Sequence, residues 1–329
     1  MLKISERPPT HESAQSNSPF LTDMLAGLSA SPKHISPKYF YDAHGSALFD
    51  QICELPEYYP TRTELGILQT HAADMAKHMG EHADVIEFGA GSLQKIRWLL
   101  NASTSPTRYV PLDISGDHLQ TACLRLQTEF PYLQIQPQVC DYTAKWQLPP
   151  AIAGAAKRVI FFPGSTLGNF SPAQACHFFS QCASHLPGGA LLLGVDLIKS
   201  PQLLHAAYND AQGVTAAFNL NLLTRANQEL GANFNLAQFA HSAFYNAPMQ
   251  RIEMHLQSLC EQQVQIAGQC FAFSQGETLH TEYSYKFTIA GVQQTAAQAG
   301  LHAGPVWTDP QHMFGLLWLD IPPTQETSR

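Results

Sequence analysis

The stretch that decides the fold runs from Asp84 to Leu100 and reads DVIEFGAGSLQKIRWLL. It opens with the apolar pair Val85-Ile86, breaks at the glycine-rich residues 89–92, and continues from Leu93 with apolar side chains at helical spacing. We therefore expect a buried strand, a tight turn and a helix, in that order. Such a corner binds nucleotide-like ligands, because glycines let the ligand approach the backbone and the first N–H groups of the helix point towards it.

A second strand is predicted at residues 109–113, YVPLD, and it ends in an acidic residue, Asp113. An acid about twenty residues after the glycine turn is typical of a ribose-binding position. Glu87, just before the turn, also suits an adenosine-bearing ligand. The third glycine of the dinucleotide fingerprint is absent, and so is a phosphate-binding lysine. These two absences favour S-adenosylmethionine (SAM) over NAD or ATP as the cofactor.

The composition limits the classes of partner. The chain has 329 residues, 45% of them hydrophobic, and a formal net charge of −8. Because no cluster of Lys and Arg exceeds a pair, neither nucleic acid nor an anionic membrane is expected as a partner. The seven cysteines form no C-x-x-C motif, which is typical of reduced thiols, and no apolar run approaches a membrane span. We expect a cytoplasmic protein with a small-molecule substrate, and a monomer, because no heptad or apolar stripe indicates an interface.

Alternating apolar strands and amphipathic helices flank this corner, which is typical of an α/β fold with a parallel sheet. Two polar residues follow predicted strands, at the edge where open α/β sheets bind ligands. Asp141 suits an adenine contact and, equally, a plain strand end, and Asn169 suits a ligand contact or an ordinary turn. The further elements predicted in this part are helices at 65–79, 119–130 and 173–185 and strands at 133–139, 158–162 and 189–195.

After Lys199 the sequence changes character, and Asn- and Ala-rich stretches replace the alternating units. Near the C-terminal end, a helix and two strands again show the alternation of amphipathic helices and apolar strands seen before Lys199. The elements predicted here are a single long helix at 203–226, strands at 251–259, 264–273 and 280–287, a helix at 289–299, and strands at 306–307 and 314–319.

These changes of character predict two domains. Residues 1–19 are expected to form a flexible N-terminal arm, because they are polar and contain prolines. The second, smaller α+β domain is expected to combine residues 20–61 with an insertion at 200–285 and to bind the substrate. Residues 62–199 and 286–329 are expected to form the Rossmann-like domain.

Metal and hydrolase chemistry are not indicated. His78 and His82 form an H-x-x-x-H pattern, but they straddle Gly80, where the predicted helix should end, and no third ligand is evident. The pair Gly164-Ser165 does not fit a nucleophile elbow, because the serine directly follows the glycine. We predict no metal site.

Two polar patterns favour a small substrate that carries N–H groups. Tyrosines cluster between residues 39 and 59, and since buried phenols need hydrogen-bond partners, they are suited to line a substrate site. In the alternating strand HTEYSYKF, residues 280–287, Glu282 and Ser284 share one face. Such a pair is usually solvated, but next to a cofactor it would bind a cationic or N–H-bearing substrate.

Taken together, five blocks of the chain resemble the L-histidine Nα-methyltransferases of ergothioneine biosynthesis. The blocks are SPKYFYDAHGSALFDQICELPEYYPTRTE, EFGAGSLQK, PGSTLGNF, YNDAQGVTAAFN and TEYSYKF, and the resemblance covers the chain from about Phe20 onward. It implies a class I Rossmann-like SAM methyltransferase domain with a substrate-binding domain. It also implies an enzyme that transfers three methyl groups from SAM to the α-amino group of L-histidine and gives hercynine.

The resemblance further implies a role for individual residues. On the substrate side it implies that Tyr58, Met254, Glu282 and Ser284 hold the imidazole, that Asn169 and Tyr208 hold the α-carboxylate, and that Tyr41 lies near the amine, with Tyr41, Asn169 and Glu282 as the catalytic residues. On the cofactor side it implies that Gly89 and Lys95 belong to the glycine-rich motif and its helix, that Asp113 holds the ribose hydroxyls, and that Asp141 and Tyr142 lie at the adenine.

Three other functions fit parts of the sequence. The family has relatives that methylate indole-bearing amino acids such as tryptophan or its derivatives, and Glu282 with Ser284 is the reason to prefer histidine. A non-catalytic SAM-binding protein is disfavoured by the joint presence of Gly89, Asp113, Asn169 and Glu282. An NAD-dependent dehydrogenase is disfavoured by the missing third glycine and by the lack of an evident His–Asp pair.

Overall fold

The computed structural model describes residues 18–144, 146–152 and 157–323. The predicted N-terminal arm, residues 1–19, lies outside the described residues except for its last two. The α-helices of the described ranges are α1 (Pro19–Ser29), α2 (Ala43–Glu54), α3 (Tyr59–Met79), α4 (Ile96–Ala102), α5 (Gly116–Glu129), α6 (Pro172–His185), α7 (Pro201–Tyr208), α8 (Val214–Leu230) and α9 (Ile289–Gln298).

Strands and helices alternate in much of the first half of the chain, five strands follow one another after α8, and two more follow α9. The strands are β1 (Asp84–Phe88), β2 (Arg108–Asp113), β3 (Gln134–Ile135), β4 (Gln138–Val139), β5 (Arg158–Phe162), β6 (Ala190–Asp196), β7 (Phe239–Asn246), β8 (Arg251–Ser258), β9 (Gln262–Ile266), β10 (Gln269–Phe273), β11 (Thr278–Tyr285), β12 (His302–Thr308) and β13 (Phe314–Asp320).

The main sheet has the strand order β12-β13-β6-β5-β1-β2-β3, and β4 also pairs with β2. All its pairs are parallel except those of β13, which runs antiparallel to both β6 and β12. The order changes direction between β1 and β5, and a crevice at the carboxyl ends of the strands is expected there. The predicted α/β fold with a mostly parallel, Rossmann-like sheet is confirmed.

Both faces of this sheet are covered, so its central strands are buried throughout. Every residue of β1 is buried, and Val85 packs into one hydrophobic cluster while its neighbour Ile86 packs into another on the opposite face. Burial on both faces is expected for a parallel strand with helices on both sides of its sheet.

A further hydrophobic cluster lies outside the main sheet. It consists of residues from 20–59 and 204–279, and it joins α1, α2, α7 and α8 to the antiparallel sheet β11-β8-β7 and the hairpin β9-β10. We propose on this basis that 20–61 and 200–285 form the smaller substrate-binding domain and that 62–199 and 286–329 form the Rossmann-like one.

The chain leaves the main sheet and returns to it at one place. Leu197, just after β6, forms a parallel bridge with Phe287, just after β11. The N–H of Phe287 donates to the carbonyl of Asp196 over 2.9 Å, and the N–H of Ile198 donates to the carbonyl of Phe287 over 3.0 Å. The two ends of the inserted segment therefore lie side by side.

Two helix predictions need correction. The single helix expected at 203–226 is two helices, α7 and α8, because the Asp210 carboxylate accepts the N–H groups of Val214 and Thr215 over 2.9 and 2.8 Å and starts a new helix. The helix before β1 begins at Tyr59 rather than at Leu65. Its Pro60 stands in the first turn, where the missing N–H costs no hydrogen bond.

The turn after β1 is longer than predicted. Leu93 has a φ of 57°, so the helix α4 begins only at Ile96. The expectation that Leu93 opens the helix is wrong, and the residues between Gly89 and Lys95 form an extended loop instead. This loop leaves more backbone exposed to a ligand than a direct strand-to-helix turn would.

The strand predictions are wrong in three places. The strand expected at 133–139 is interrupted into β3 and β4, and Pro137, which has no N–H to donate, lies between them. The strand expected at 264–273 is the hairpin β9-β10, which turns at Ala267 and Gly268 with positive φ angles of 48° and 76°. Strand β7 was not predicted, because its residues are partly exposed on both faces and show no alternation.

Glu87 is buried in the middle of the sheet rather than facing a ligand. It is 1% exposed and accepts a hydrogen bond from the Tyr109 hydroxyl of the neighbouring strand. Burial raises the pKa of Glu87 to about 8. Because the folded protein then holds a proton that the unfolded chain releases above about pH 4.5, stability falls as the pH rises towards 8.

We predict that Glu87→Gln changes the pH dependence of stability. Relative to the wild type, the variant should gain roughly 2–4 kcal/mol in free energy of unfolding between pH 5 and pH 8, because glutamine has no proton to lose. Urea unfolding at several pH values measures this difference. The exposed Glu81→Gln is the matched control, and a wild-type-minus-variant difference that is constant over this range would contradict the buried-acid account.

Candidate active site

A cavity of about 680 Å³ opens at the carboxyl edge of the main sheet. Residues that follow or end β1, β2, β5 and β6 line one wall, and residues of the N-terminal segment, Tyr208 and β11 line the other. Of the residues expected to form the site, all but Met254 line this cavity: Tyr41, Tyr58, Gly89, Lys95, Asp113, Asp141, Tyr142, Asn169, Tyr208, Glu282 and Ser284.

The glycine loop and Asp113 form one rigid corner. The Gly91 N–H donates to one oxygen of the Asp113 carboxylate over 2.9 Å, and the Ser115 N–H donates to the other over 2.9 Å. Each carboxylate oxygen keeps a free lone pair, so the group can still accept from the two hydroxyls of a ribose. This geometry fits the expected role of Asp113.

Gly89 has a structural reason to lack a side chain. Its φ is 66°, and a Cβ at this position would lie 3.2 Å from the Tyr142 hydroxyl. A side chain here would fill the space between the loop and Tyr142. The absence of a Cβ therefore leaves a cradle in which the backbone of the loop and the Tyr142 phenol can both contact a flat or extended ligand.

Lys95 is held by a carboxylate that the sequence did not single out. Its ammonium lies 2.8 Å from Glu64 Oε2, and Glu64 is fully buried and also accepts the Gly164 N–H over 3.0 Å. Burial alone would lower the pKa of Lys95, but the Glu64 carboxylate outweighs it and raises that pKa. The ammonium therefore stays charged beside the cavity and can bind an anionic group of a ligand.

Asp141 is tied to the N-terminal segment of the smaller domain. Its Oδ2 accepts from Lys38 Nζ over 3.1 Å, and its Oδ1 accepts from the Thr143 N–H over 2.9 Å. These bonds and the ammonium lower the pKa of Asp141 despite its partial burial. The side chain remains an acceptor next to Tyr142, which suits the exocyclic amine of an adenine.

The opposite wall is built around β11 as the alternation predicts. Glu282 and Ser284 line the cavity from one face of the strand. The register shifts between His280 and Glu282, and the extra residue, Thr281, donates to Asn219 Oδ1 over 2.8 Å. This bulge fixes the face that Glu282 presents, as bulges near ligand sites often do.

Glu282 is 8% exposed, and burial raises its pKa to about 7, while the charge of Lys286 acts to lower it. A buried carboxyl of this kind is able to change its charge near neutral pH. It therefore responds to any N–H donor or positive charge that enters the cavity.

Tyrosines and an asparagine complete this wall. The rings of Tyr58 and Tyr208 meet edge to face with centroids 6.5 Å apart, and the Tyr208 hydroxyl donates to Ser284 Oγ over 2.7 Å. Tyr41 packs against Phe218 and faces the cavity. Asn169 ends the 3₁₀ turn at Thr166–Asn169, directly beyond β5, as the sequence predicts.

Met254 lies behind the first layer of the wall. It pairs with Glu282 across β8 and β11, is 2% exposed, and lines a small adjoining cavity of about 30 Å³ together with Tyr58, Phe218 and Glu282. Its thioether therefore supports the Glu282 side chain, and it would reach a ligand only through this small cavity.

The sequence did not indicate Lys38, Glu64, Asp196 or Lys286, although all line or support the cavity. The alternation of the strand already places Lys286 on the face of Glu282 and Ser284, but no role was predicted for it. The other three depend on contacts between distant parts of the chain. Within the described ranges, no three or more His, Cys, Asp or Glu side chains come together as a metal site.

The sheet order, the glycine loop, Asp113 and a cavity at the point where the order reverses are those of a Rossmann-like nucleotide-binding enzyme, and they fit a class I SAM-dependent methyltransferase. The sequence profile of the family described as "Histidine-specific methyltransferase, SAM-dependent" matches residues 20–321. The chain belongs to this family. The resemblance, the fold class and the cofactor expected from the sequence are confirmed.

Three relatives illustrate the range of the family. Histidine N-alpha-methyltransferase of Mycolicibacterium smegmatis is 42% identical over 300 residues, which are 89% of this chain and 92% of the relative. Ergothioneine biosynthesis protein 1 of Neurospora crassa is 31% identical over 206 residues, 61% of this chain and 23% of that protein. The 4-dimethylallyltryptophan N-methyltransferase of Claviceps purpurea is 25% identical over 316 residues, 87% of this chain and 90% of the relative.

None of the described helices combines the length and hydropathy needed to span a membrane.

We predict that Asp113→Ala weakens binding of S-adenosylhomocysteine (SAH) about tenfold to a hundredfold. The loss corresponds to roughly 1.5–3 kcal/mol for hydrogen bonds to a charged group. Isothermal titration with SAH measures it. Asp117→Ala, an exposed acid in the first turn of the following helix, is the control and should bind SAH as the wild type does. Equal affinity in the Asp113 and Asp117 variants would remove Asp113 from the cofactor site.

Proposed function

We propose that this protein transfers methyl groups from SAM to the α-amino group of L-histidine, three in succession, and releases hercynine for ergothioneine biosynthesis. The observation that carries the proposal is the pair Glu282 and Ser284, which faces the cofactor corner across one cavity in a member of the histidine-specific family. The histidine N-alpha-methyltransferase at 42% identity supports it.

The imidazole is assigned to the wall formed by β11. Glu282 accepts the ring N–H, and Ser284 bonds the other ring nitrogen. The phenol ring of Tyr58 packs beside the imidazole, and Met254 backs Glu282 from the adjoining small cavity. One acceptor and one hydroxyl at neighbouring positions of one strand face match the two nitrogens of a five-membered ring.

The other end of the substrate is assigned to the residues nearer the sheet. Asn169, at the end of the 3₁₀ turn that follows β5, binds the α-carboxylate. The role expected for Tyr208 at the carboxylate is not carried forward, because its hydroxyl proton is donated to Ser284 Oγ over 2.7 Å. Tyr41 lies beside the amine, between the two ends. With the imidazole and the carboxylate both held, the amine is the group left free to face the cofactor corner, where Gly89, Lys95, Asp113, Asp141 and Tyr142 bind SAM.

The residues have little covalent chemistry to perform. SAM supplies a methyl group that is already activated by the positive sulfur next to it. The protein aligns the amine with that methyl group and excludes water, which is where most of the rate enhancement of such a transfer arises. The amine must be neutral to attack, and the phenol rings of Tyr41, Tyr58 and Tyr208, which line the cavity, exclude water and so disfavour its charged form.

The chemistry itself limits the number of transfers. Each transfer replaces one N–H bond of the substrate's ammonium form with an N–C bond; the proton is released to solvent before the attack, and SAH leaves after it. Binding therefore cannot depend on N–H donors of that group. The wall residues around the imidazole and the carboxylate keep their contacts in every round. After the third transfer the nitrogen has no lone pair, and the reaction ends.

We further propose a monomer that works in the cytoplasm, where its seven free cysteines stay reduced.

We predict that Glu282→Ala raises the KM for histidine at least tenfold and relaxes the choice of ring. The physical reason is the loss of a charge-assisted hydrogen bond, worth roughly 1.5–3 kcal/mol. Liquid chromatography with mass spectrometry measures turnover of histidine and of tryptophan. SAH affinity should stay within about twofold of the wild type, given that the cofactor corner is untouched.

Glu277→Ala is the matched control, because this glutamate pairs with Lys33 at the start of the same strand and outside the cavity lining. Its KM should be that of the wild type. Unchanged histidine turnover in the Glu282 variant would show that the imidazole is bound elsewhere.

A further inference from the structure

Lys286 is a buried cation beside the cavity, and none of the roles expected for the site residues includes it. It follows β11 directly, continues the face of Glu282 and Ser284, and lines the cavity although it is only 3% exposed. Its ammonium has three partners: Ser284 Oγ at 2.8 Å, Asp196 Oδ2 at 2.9 Å and the Tyr208 hydroxyl at 3.3 Å. All three protons of the ammonium are therefore assigned.

Asp196 fixes the ammonium from the side of the main sheet. Its Oδ2 also accepts the Tyr59 hydroxyl over 2.7 Å, and Lys199 donates to its Oδ1. The Asp196 N–H donates to Ser165 Oγ over 2.9 Å. Because Asp196, Tyr59 and Ser165 are buried and the Lys199 side chain is only 7% exposed, the position of the Lys286 ammonium is set by the sheet and not by the substrate.

The ammonium decides the direction of the hydrogen bonds at Ser284. A lysine can only donate, so Ser284 Oγ must accept from Lys286, and it also accepts from the Tyr208 hydroxyl over 2.7 Å. These two bonds occupy both lone pairs of the serine oxygen. The proton that remains on Ser284 is then free to point into the cavity, where it can serve only an acceptor.

The charge of Lys286 also lowers the pKa of Glu282 and so counteracts the effect of burial, which raises it. The titratable groups that face Glu282 are Lys286 and three phenols, Tyr41, Tyr58 and Tyr208. Burial raises the pKa of each phenol, so they are neutral in the working range. The groups that face Lys286 itself are Asp196, Tyr208, Glu282 and, across Asp196, Lys199.

We propose that Lys286 is a specificity-determining positioning residue: it makes Ser284 a donor towards the substrate ring and keeps Glu282 an acceptor. The inference rests on the proposed function, because it concerns how the same site reads the imidazole. The cavity wall then offers one donor and one acceptor. A neutral imidazole carries one N–H and one acceptor nitrogen, whereas an indole carries only an N–H, which leaves the Ser284 proton without a partner.

The variant Lys286→Met tests the proposal by titration of L-histidine into the SAH-bound protein at pH 6.5, 7.5 and 8.5. Comparing the variant with the wild type at each pH cancels the titration of histidine itself. Without the ammonium the pKa of Glu282 rises above about 7, so the variant loses its acceptor at a higher pH than the wild type does. At pH 6.5 the Kd for L-histidine should be at least tenfold higher in the variant than in the wild type. This ratio of the two Kd values should fall severalfold by pH 8.5.

A ring analogue separates this role from general damage to the site. β-(2-Thienyl)-L-alanine has a five-membered ring with neither an N–H nor a basic nitrogen, so it cannot use Glu282 or Ser284. Lys286→Met should weaken histidine more than this analogue and thereby reduce the preference of the wild type for histidine. A merely structural role would weaken both ligands by the same factor.

A double-variant comparison tests the route through Ser284. In a Ser284→Ala background, Lys286→Met should cost less histidine affinity than it does alone, because the bond it controls is already gone. Lys157→Met is the matched control, since this lysine pairs with Asp320 on the sheet edge away from the cavity. It should bind both ligands as the wild type does.

Asp196 would be left buried without its partner in the single variant, so Lys286→Met/Asp196→Asn is measured as well, and it must show the same change in pH dependence and ring preference. An affinity ratio that does not vary with pH, together with an unchanged preference for histidine over thienylalanine, overturns the inference while the proposed function stands. A wild-type protein that binds SAH but not histidine overturns the proposed function instead.

Discussion

The buried ion pair between Asp196 and Lys286, 2.9 Å apart, connects the parts of this molecule on which its function depends. Asp196 ends β6 of the main sheet, and Lys286 follows the last strand of the smaller domain. Backbone bonds between 196–198 and 287 lie beside the pair. Burying two charges is costly, and removing one partner of such a pair typically costs about 3–5 kcal/mol. The pair thus fixes the end of the inserted segment against the main sheet, at the place where the substrate wall begins.

The same junction explains how the two ligands meet. The main sheet places the glycine loop and Asp113 at its carboxyl edge, as the strand order requires. The inserted segment rejoins the sheet at Phe287, directly after Lys286, and Ser284 and Lys286 line the cavity at that edge. Cofactor corner and substrate wall are therefore built from opposite sides of one cavity, and ligands that fill it displace the water that would compete with a small polar substrate.

Much of this arrangement could be predicted from the sequence, because it follows from local patterns. The strand at 158–162 was predicted with its observed bounds, and the alternation in β11 placed Glu282 and Ser284 on one face. The roles of individual residues remain predictions until they are tested. What could not be predicted depends on distant partners: Glu64 beside Lys95, and Asp196 beside Lys286. Strand β7 was missed because partial exposure on both faces removes the alternation that a sequence pattern needs.

The central claim is that histidine, and its amine, is the methyl acceptor. The most direct measurement is mass spectrometry of the purified protein with SAM and a mixture of the twenty amino acids. The account predicts that histidine alone gains one, two and then three methyl groups, and that fragmentation places all three on the α-nitrogen. Methylation of tryptophan in place of histidine, or of a ring nitrogen, would contradict it.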